Sequence, residues 1–382
     1  MKRLRKFLLR AGLAVLAEFR VAATSPAVLL VLAGGVGVYG VLYNLLYAPE
    51  RVEDVPVVVV DCARTALTRR VVSLVDAAPE VAVVGVTGNY AESREMTQSG
   101  QTFGVVMLPS DFESRLRRGE QAWILSVGST TNFLNYEAVQ SAVAGAMLTL
   151  EDELHASMAV FLPAESRTTL TRPTAVEVVG EALSNPSHGY ARYLLPPVLV
   201  IILFQTLMLA VGMTDAARPR LRMRPSRAAA EVVGRTLMWT VVYGVLAVWM
   251  LGFVPQLFGL PHSTHFVSVA AVVVPFLIAT TLLALCFARM FSDPEVVPIG
   301  VAFFSVGLVF LSGVSYPLSL LPEPWHTLRL VFPSSAATFA MVKVGSLGAT
   351  AADCAGEIAA LWIQCAVYGV VAVRVMGAQR TK

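Results

Sequence analysis

The sequence predicts an α-helical polytopic membrane protein with six transmembrane helices, an α/β extracytoplasmic domain inserted after the first, and a re-entrant helical hairpin before the last. Three observations predict it. The chain of 382 residues is 56% apolar and 14% charged, with a mean hydropathy of +0.67, whereas soluble domains run near ~25% charged. Its uncharged runs are long enough to cross a bilayer. Its Lys and Arg residues gather in three places that such crossings would put on one side.

Residues 21–49, 193–214, 236–288, 296–322 and 358–373 carry no Asp, Glu, Lys or Arg. A helix needs about 20 apolar residues to cross the hydrocarbon core. The 53-residue run 236–288 suffices for two crossings, with a turn at "GLPHSTH", Gly259 to His265. The expected spans are 27–47, 192–213, 236–258, 265–288, 298–316 and 355–375.

Orientation follows from the basic residues. Lys2, Arg3, Arg5, Lys6, Arg10 and Arg20 face one acid, Glu18, in the first 26 residues; the segment 214–235 holds Arg218, Arg220, Arg222, Arg224, Arg227 and Arg235 against Asp215 and Glu231; the tail holds Arg374, Arg380 and Lys382. With six spans all three lie on one side, and the positive-inside rule makes it the cytoplasm. Both termini are then cytoplasmic in a cell (inner) membrane. The apolar run begins too late and runs too long for the ~7–15-residue core of a signal peptide, so an uncleaved anchor is expected. Within residues 1–26, Leu4, Leu8, Val15, Leu16 and Phe19 share one helical side and Arg3, Lys6 and Arg10 another. This describes a helix lying in the membrane interface, with a plain basic anchor as the alternative. The formal charge of +3 is too small to suggest a nucleic-acid partner.

Residues 48–190 read as a different kind of protein, with 18 acidic and 10 basic residues. "VPVVVVD" (55–61), "EVAVVGV", "FGVVMLP" and "QAWILSVGS" are strand-like. Between them, "RTALTRRVVSLVDA" aligns Leu67, Val71, Leu74 and Val75 on one helical face, and "PSDFESRLRRGE" reads as a short helix with Pro109 in its first turn. A long helix from Asn132 to Phe161 and a last strand, "TAVEVVGE", follow. Such alternation predicts a parallel or mixed α/β sheet.

Catalytic chemistry is not legible in the chain. GxSxG, HExxH and any Walker A motif are missing, so the chain has no P-loop to hydrolyse nucleotide. Asp61 ends a strand, where it can cap the next helix. Glu151, Asp152 and Glu153 are adjacent on a helix and diverge, and His262 and His265 fall on a turn. No catalytic residue, cofactor or metal is expected. Cys62, Cys286, Cys354 and Cys365 have no metal spacing, and a Cys62–Cys354 disulfide is the one pairing that topology leaves open. No carboxylate falls within an expected span core, as a proton relay would need. Energy for any transport would come from another chain.

The stretch "FLSGVSYPLSLLPEPWHTLRLVFPSS" (310–335) holds four prolines, Pro317, Pro322, Pro324 and Pro333, next to membrane helices. Each removes a backbone N–H and clashes with the preceding turn. Broken backbone at membrane depth survives only where protein or a water-filled cavity satisfies it. Residues 317–348 are therefore expected to re-enter the membrane, an ordinary external loop being the alternative.

On these residues the chain resembles the type-2 ATP-binding-cassette (ABC) exporter permeases with a large extracytoplasmic domain. The match rests on Phe310, Leu311, Ser312, Gly313, Tyr316 and Pro317, then Pro322 and Pro333; on Thr65, Thr68 and Arg69 after the first strand; on the Pro-x-Asp-Phe of "FGVVMLPSDFESRLRRGEQAWI"; and on the Asn-Pro of "LSNPS". The resemblance implies that residues 191–382 form a five-helix transmembrane domain. Ser312, Gly313, Tyr316, Pro317, Pro322 and Pro333 would shape the exit. The loop's arginines, of which Arg220, Arg222, Arg224 and Arg227 are the candidates, would meet an ABC ATPase. It further implies a second permease subunit and an optional periplasmic membrane-fusion adaptor. The loop "TDAARPRLRMRPSRAAAEVVGR" lacks the family's acidic-basic Gly-Thr segment, and Pro196-Pro197 stand where relatives often have Pro-Gly. The implied function is outward transport by alternating access. The rival class is a membrane receptor or scaffold whose α/β domain binds a ligand or partner.

Overall fold

The computed structural model describes residues 2–48, 52–118, 120–128, 133–160, 190–218, 223–260, 266–290, 296–311, 321–346 and 348–378. They gather into two compact units, residues 1–50 with 182–382, and residues 51–181.

The helical unit begins with α1 (Lys2–Thr24). Ser25 ends it and caps the next helix, its hydroxyl accepting from the Val28 N–H, with Pro26 in the first turn. Then come α2 (Pro26–Leu46), with a π-helical stretch at Val31–Val38, and, after the second unit, α7 (Tyr190–Ala216). The helix α8 (Pro225–Leu257) has a π-helical stretch at Val248–Phe253. α9 (Phe266–Ala288) and α10 (Val296–Leu311) follow, then α11 (Glu323–Leu328), α12 (Pro333–Ser346) and α13 (Ala355–Ala378). Among the described residues five helices are long and apolar enough to cross a membrane: α2, α7 from Leu194, α8, α9, and α13 up to Gly377. The remaining expected span, 298–316, is represented by the 16-residue α10; residues 312–320 lie outside the described set. α7 and α9 are the central helices, and their Leu199, Leu203, Leu207, Phe276 and Leu285 pack with Trp239 and Tyr243 of α8 in one buried core.

Two boundaries differ from the sequence reading. The third span was expected at 236, but α8 starts at Pro225. A charge-free run stops at Arg235, whereas the helix passes through it because that charge is paired and buried. The connection shrinks accordingly from 214–235 to the residues between Ala216 and Pro225. On α1, the Leu4, Leu8, Leu16 and Phe19 side is exposed, while Ala11, Ala14, Glu18 and Ala22 are buried. Small residues, not the leucine ridge, are thus what the helix turns inward.

The second unit is built on a four-stranded sheet of order β2-β1-β3-β4: β1 (Val55–Asp61), β2 (Val81–Thr87), β3 (Gly104–Leu108) and β4 (Leu125–Gly128). β1 runs parallel to β2 and β3, and β4 closes the edge antiparallel to β3. Val55, Val57 and Val59 share a core with Val71 and Val75 of α3 (Ala66–Asp76) and Val139 and Val143 of α6 (Phe133–Val160), while Val58, Val60 and Val105 lie in a separate buried cluster with Met96 of α4 (Tyr90–Gln98) against it. This alternation is the period of two that a strand covered on both faces requires. The polar stretch at 89–100, "NYAESREMTQSG", holds α4, capped by the Asn89 carboxamide accepting from the Ala91 N–H at 2.9 Å. Pro109 lies outside α5 (Phe112–Arg117), whose N-cap is Asp111; the Pro109 carbonyl accepts from the Phe112 N–H. "TAVEVVGE" falls outside the described residues.

Candidate functional site

The most unusual chemistry in the helical unit is a set of ionised groups buried where α1, α7, α8 and α9 meet. Glu18 of α1, Asp215 of α7 and Arg235 of α8 have fully buried side chains. Glu18 Oε1 accepts from Thr214 Oγ1 and Trp239 Nε1, both at 2.8 Å, and from Arg235 Nη2 at 3.3 Å. Its Oε2 lies 2.7 Å from Arg218 Nη2 and 2.8 Å from Arg235 Nε, as ion pairs outside hydrogen-bond geometry. Arg235 also donates to Asp215 Oδ1. Arg289, just past the end of α9, holds Asp215 through Nη2 at 2.7 Å and Nε at 2.5 Å. Arg218 completes the set at 3.3 Å from Glu231 Oε1.

The helix periodicity explains how these residues meet. Glu231, Arg235 and Trp239 are spaced by four on α8 and so share one stripe. Thr214 and Asp215 end α7, and Arg218 opens the connection to α8. Three carboxylates, Glu18, Asp215 and Glu231, face three guanidiniums, Arg218, Arg235 and Arg289, so the cluster is electrically balanced. Balance matters because an uncompensated buried ion costs several kcal/mol. Burial opposes ionisation of Glu18, but the Arg235 and Arg218 guanidiniums and the Trp239 and Thr214 hydrogen bonds outweigh it, holding the carboxyl below the ordinary carboxylate range. Chemically the arrangement fastens α1 and the start of the α7–α8 connection to three further helices.

A second site lies at the opposite kind of junction, where the backbone is broken. Pro322 is the N-cap of α11, a 3₁₀ turn spans Arg329–Val331, and Pro333 starts α12. Two carbonyls freed by this break have side-chain partners. Gln364 Nε2 of α13 donates to the Leu330 carbonyl at 2.6 Å, and the Tyr368 hydroxyl, one turn further, donates to the Val331 carbonyl. Downstream, α12 buries Ser335, Ala337, Ala340, Met341 and Val344, and Lys343 pairs with Glu357 at 2.6 Å. By contrast Trp325, Leu328 and Leu330 are exposed.

The residues singled out from the sequence fare unequally. Pro322 is the N-cap of α11 and Pro333 the first residue of α12, whereas Ser312, Gly313, Tyr316 and Pro317 lie outside the described residues, as do Arg220 and Arg222. Arg224 and Arg227 are exposed at the start of α8. The structure does not bring them into the buried cluster, whose Glu18, Arg235 and Arg289 the sequence reading missed. One signal was available: Glu18 is the single acid among six basic residues before position 26. In the second unit Asp61 builds the turn after β1, accepting from the Ala63 and Arg64 N–H groups at 3.0 and 2.8 Å and from Thr68 Oγ1 at 2.8 Å. Thr65 and Thr68 form a capping box on α3, so those residues have a structural task. Glu153 pairs with Arg70 across α3 and α6. Cys62 and Cys354 are both free thiols, the first exposed and the second buried beside the Ala340 carbonyl.

A comparison with curated protein sequences gives no match. A family model described as "ABC-2 family transporter protein" matches residues 26–374. It spans the apolar helices, the strand-rich unit and the broken segment alike. This multi-pass membrane protein therefore belongs to the ABC-2 transporter family, a family of membrane transport subunits.

Proposed function

We propose that the chain is the permease subunit of an ABC-type exporter, which pairs with a second permease and passes a substrate outward by alternating access driven by a separate ATPase. The observation that carries this reading is the buried charge cluster. It joins the N-terminal helix and Arg218, at the mouth of the arginine-rich connection, to α7, α8 and α9. A force applied to that connection by a partner is delivered to several spans at once, as coupling to an ATPase requires. The broken segment supports the same reading, because Gln364 and Tyr368 satisfy its carbonyls from within the protein. Residues 317–348 then act as a re-entrant hairpin at the exit, with Ser312, Gly313, Tyr316 and Pro317 at its junction with the fifth span and Pro322 and Pro333 at its bends. The strand-rich unit, placed outside the membrane, caps the exit or docks an adaptor.

The test is biochemical. The purified chain should hydrolyse no ATP alone and should co-purify with an ABC ATPase. Changing Arg220, Arg222, Arg224 and Arg227 together to Glu should reduce that co-purification severalfold while leaving membrane insertion intact. ATP hydrolysis by the chain itself, or partner binding indifferent to the quadruple change, would refute the proposal. Reporter fusions check the six-span orientation: an enzyme active only in the periplasm should work when fused within 60–180 and be silent at the C-terminus. The reverse pattern would overturn the orientation.

A further inference from the structure

We infer that the groove between α8, α9 and α13 is a binding site for an anionic membrane phospholipid, its phosphate on Arg374 and its chains along an apolar wall. The groove has a volume of about 680 Å³, within the ~300–1,000 Å³ typical of ligand sites. Val232, Leu237, Leu282 and Val370 contribute the apolar lining. Three polar side chains interrupt it: Thr236, Thr240 and Arg374.

The two threonines are the informative ones. A buried hydroxyl on a helix ordinarily returns its proton to the carbonyl one turn back. Thr206 does so to Ile202 at 2.7 Å, and Thr281 to Leu277 at 2.8 Å. Thr236 and Thr240, one turn apart on the same face of α8, keep buried Oγ1 atoms with no partner, as Thr280 and Thr338 do elsewhere, and these two line the groove. An unsatisfied buried hydroxyl is costly, and a lipid's ester oxygens are the acceptors that an otherwise apolar groove could receive. Arg374 stands exposed in the last turns of α13, with no carboxylate partner among the described residues. Gly377, one turn on, faces the Met223 carbonyl. The charged head would therefore lie at the end of the bundle that carries the arginine-rich connection, and the chains would run inward from it. A second apolar hollow of about 230 Å³ shares Thr240 and continues along α8 past Gly244 towards Pro255, leaving room for the far end of a chain. The charge, the unpaired hydroxyls and the apolar length together describe a phospholipid rather than a wholly apolar molecule.

The test uses the full chain in nanodiscs containing phosphatidylcholine with a minor fraction of phosphatidylglycerol, followed by native mass spectrometry. The expected result is one retained phosphatidylglycerol per chain. Arg374→Gln should lower that retention on the order of tenfold, as loss of a charged hydrogen bond would, and Arg374→Lys should preserve much of it. Thr236→Val with Thr240→Val should weaken both lipids alike, since ester oxygens are common to them. Equal retention by the wild type, Arg374→Gln and the threonine pair would mean annular lipid only and would overturn the inference. Efficient disulfide cross-linking of two Leu237→Cys chains, without retained lipid, would overturn it in favour of a second copy of the chain.

Discussion

Arg235→Met is expected to lower the apparent melting temperature of the purified protein by about 10 °C and to abolish transport. The estimate follows from the cost of leaving buried acids without their shared cation, ~3–5 kcal/mol, and from a shift of roughly 2–4 °C per kcal/mol in a unit the size of the helical one. Arg235 touches both Glu18 and Asp215 with a fully buried side chain, so its loss leaves three carboxylates, Glu18, Asp215 and Glu231, for two guanidiniums, Arg218 and Arg289. The double change Glu18→Met with Arg235→Met discriminates the mechanism. It removes one acid and one base, leaving Asp215 paired to Arg289 and Glu231 paired to Arg218. Buried ion pairs replaced by apolar residues of similar volume are often neutral for stability, so the double variant should recover most of the lost stability. It should still not transport, because α1 is no longer fastened to the other helices by charge. A double variant no more stable than the single would show that packing, not charge balance, is what Arg235 supplies. Acid gives a second readout. Glu18 has a depressed pKa in the folded protein, so it stabilises the fold above the ordinary glutamate value of about 4.3. That contribution is lost as pH falls through the depressed value. The melting temperature of the wild type should decline in that window, and the double variant should decline less.

How far the sequence alone could reach follows from which forces are local. Long uncharged runs located five spanning helices, and β-branched runs located all four described strands within a few residues, because both signals reside in consecutive residues. The same logic misread the start of α8. A charge at Arg235 looks like the end of a membrane segment until its partners are known, and those partners, Glu18 and Asp215, come from other helices. The polar run at Tyr90–Gln98 was opaque for a related reason: its inward residues are Ser93 and Met96, too few to form a visible apolar stripe. The prolines of 317–333 announced a broken backbone, but nothing near them named Gln364 and Tyr368, more than 30 residues away, as the groups that satisfy it. Isolated polar residues in the last span were the available clue.

Gly234 to alanine is the smallest change expected to detach the N-terminal helix. A methyl group built at Gly234 would sit 2.3 Å from the Ala11 carbonyl oxygen and 2.7 Å from the Ala14 Cβ. The first of these atoms is helix backbone, which cannot swing aside as a side chain can, so α1 as a whole must move. Overpacking of this kind costs ~1–3 kcal/mol. The damage compounds here, because Glu18 lies one turn beyond Ala14 on the same buried face, and shifting α1 lengthens its contacts to Arg218, Arg235, Thr214 and Trp239. Gly234→Ala should therefore lower the melting temperature by several degrees, and Gly234→Leu by more. Gly12, on α1 itself, is the control: nothing lies within 4 Å of its methyl position. Alanine there should be neutral or mildly stabilising, since glycine within a helix costs ~1 kcal/mol relative to alanine. Transport should follow the same order if α1 and the arginine-rich connection work as one body, with Gly12→Ala active and Gly234→Ala impaired. Gly234→Ala melting like the wild type would mean that α1 rides loosely on α8. The charge cluster could not then serve as the rigid link between the connection and the spans.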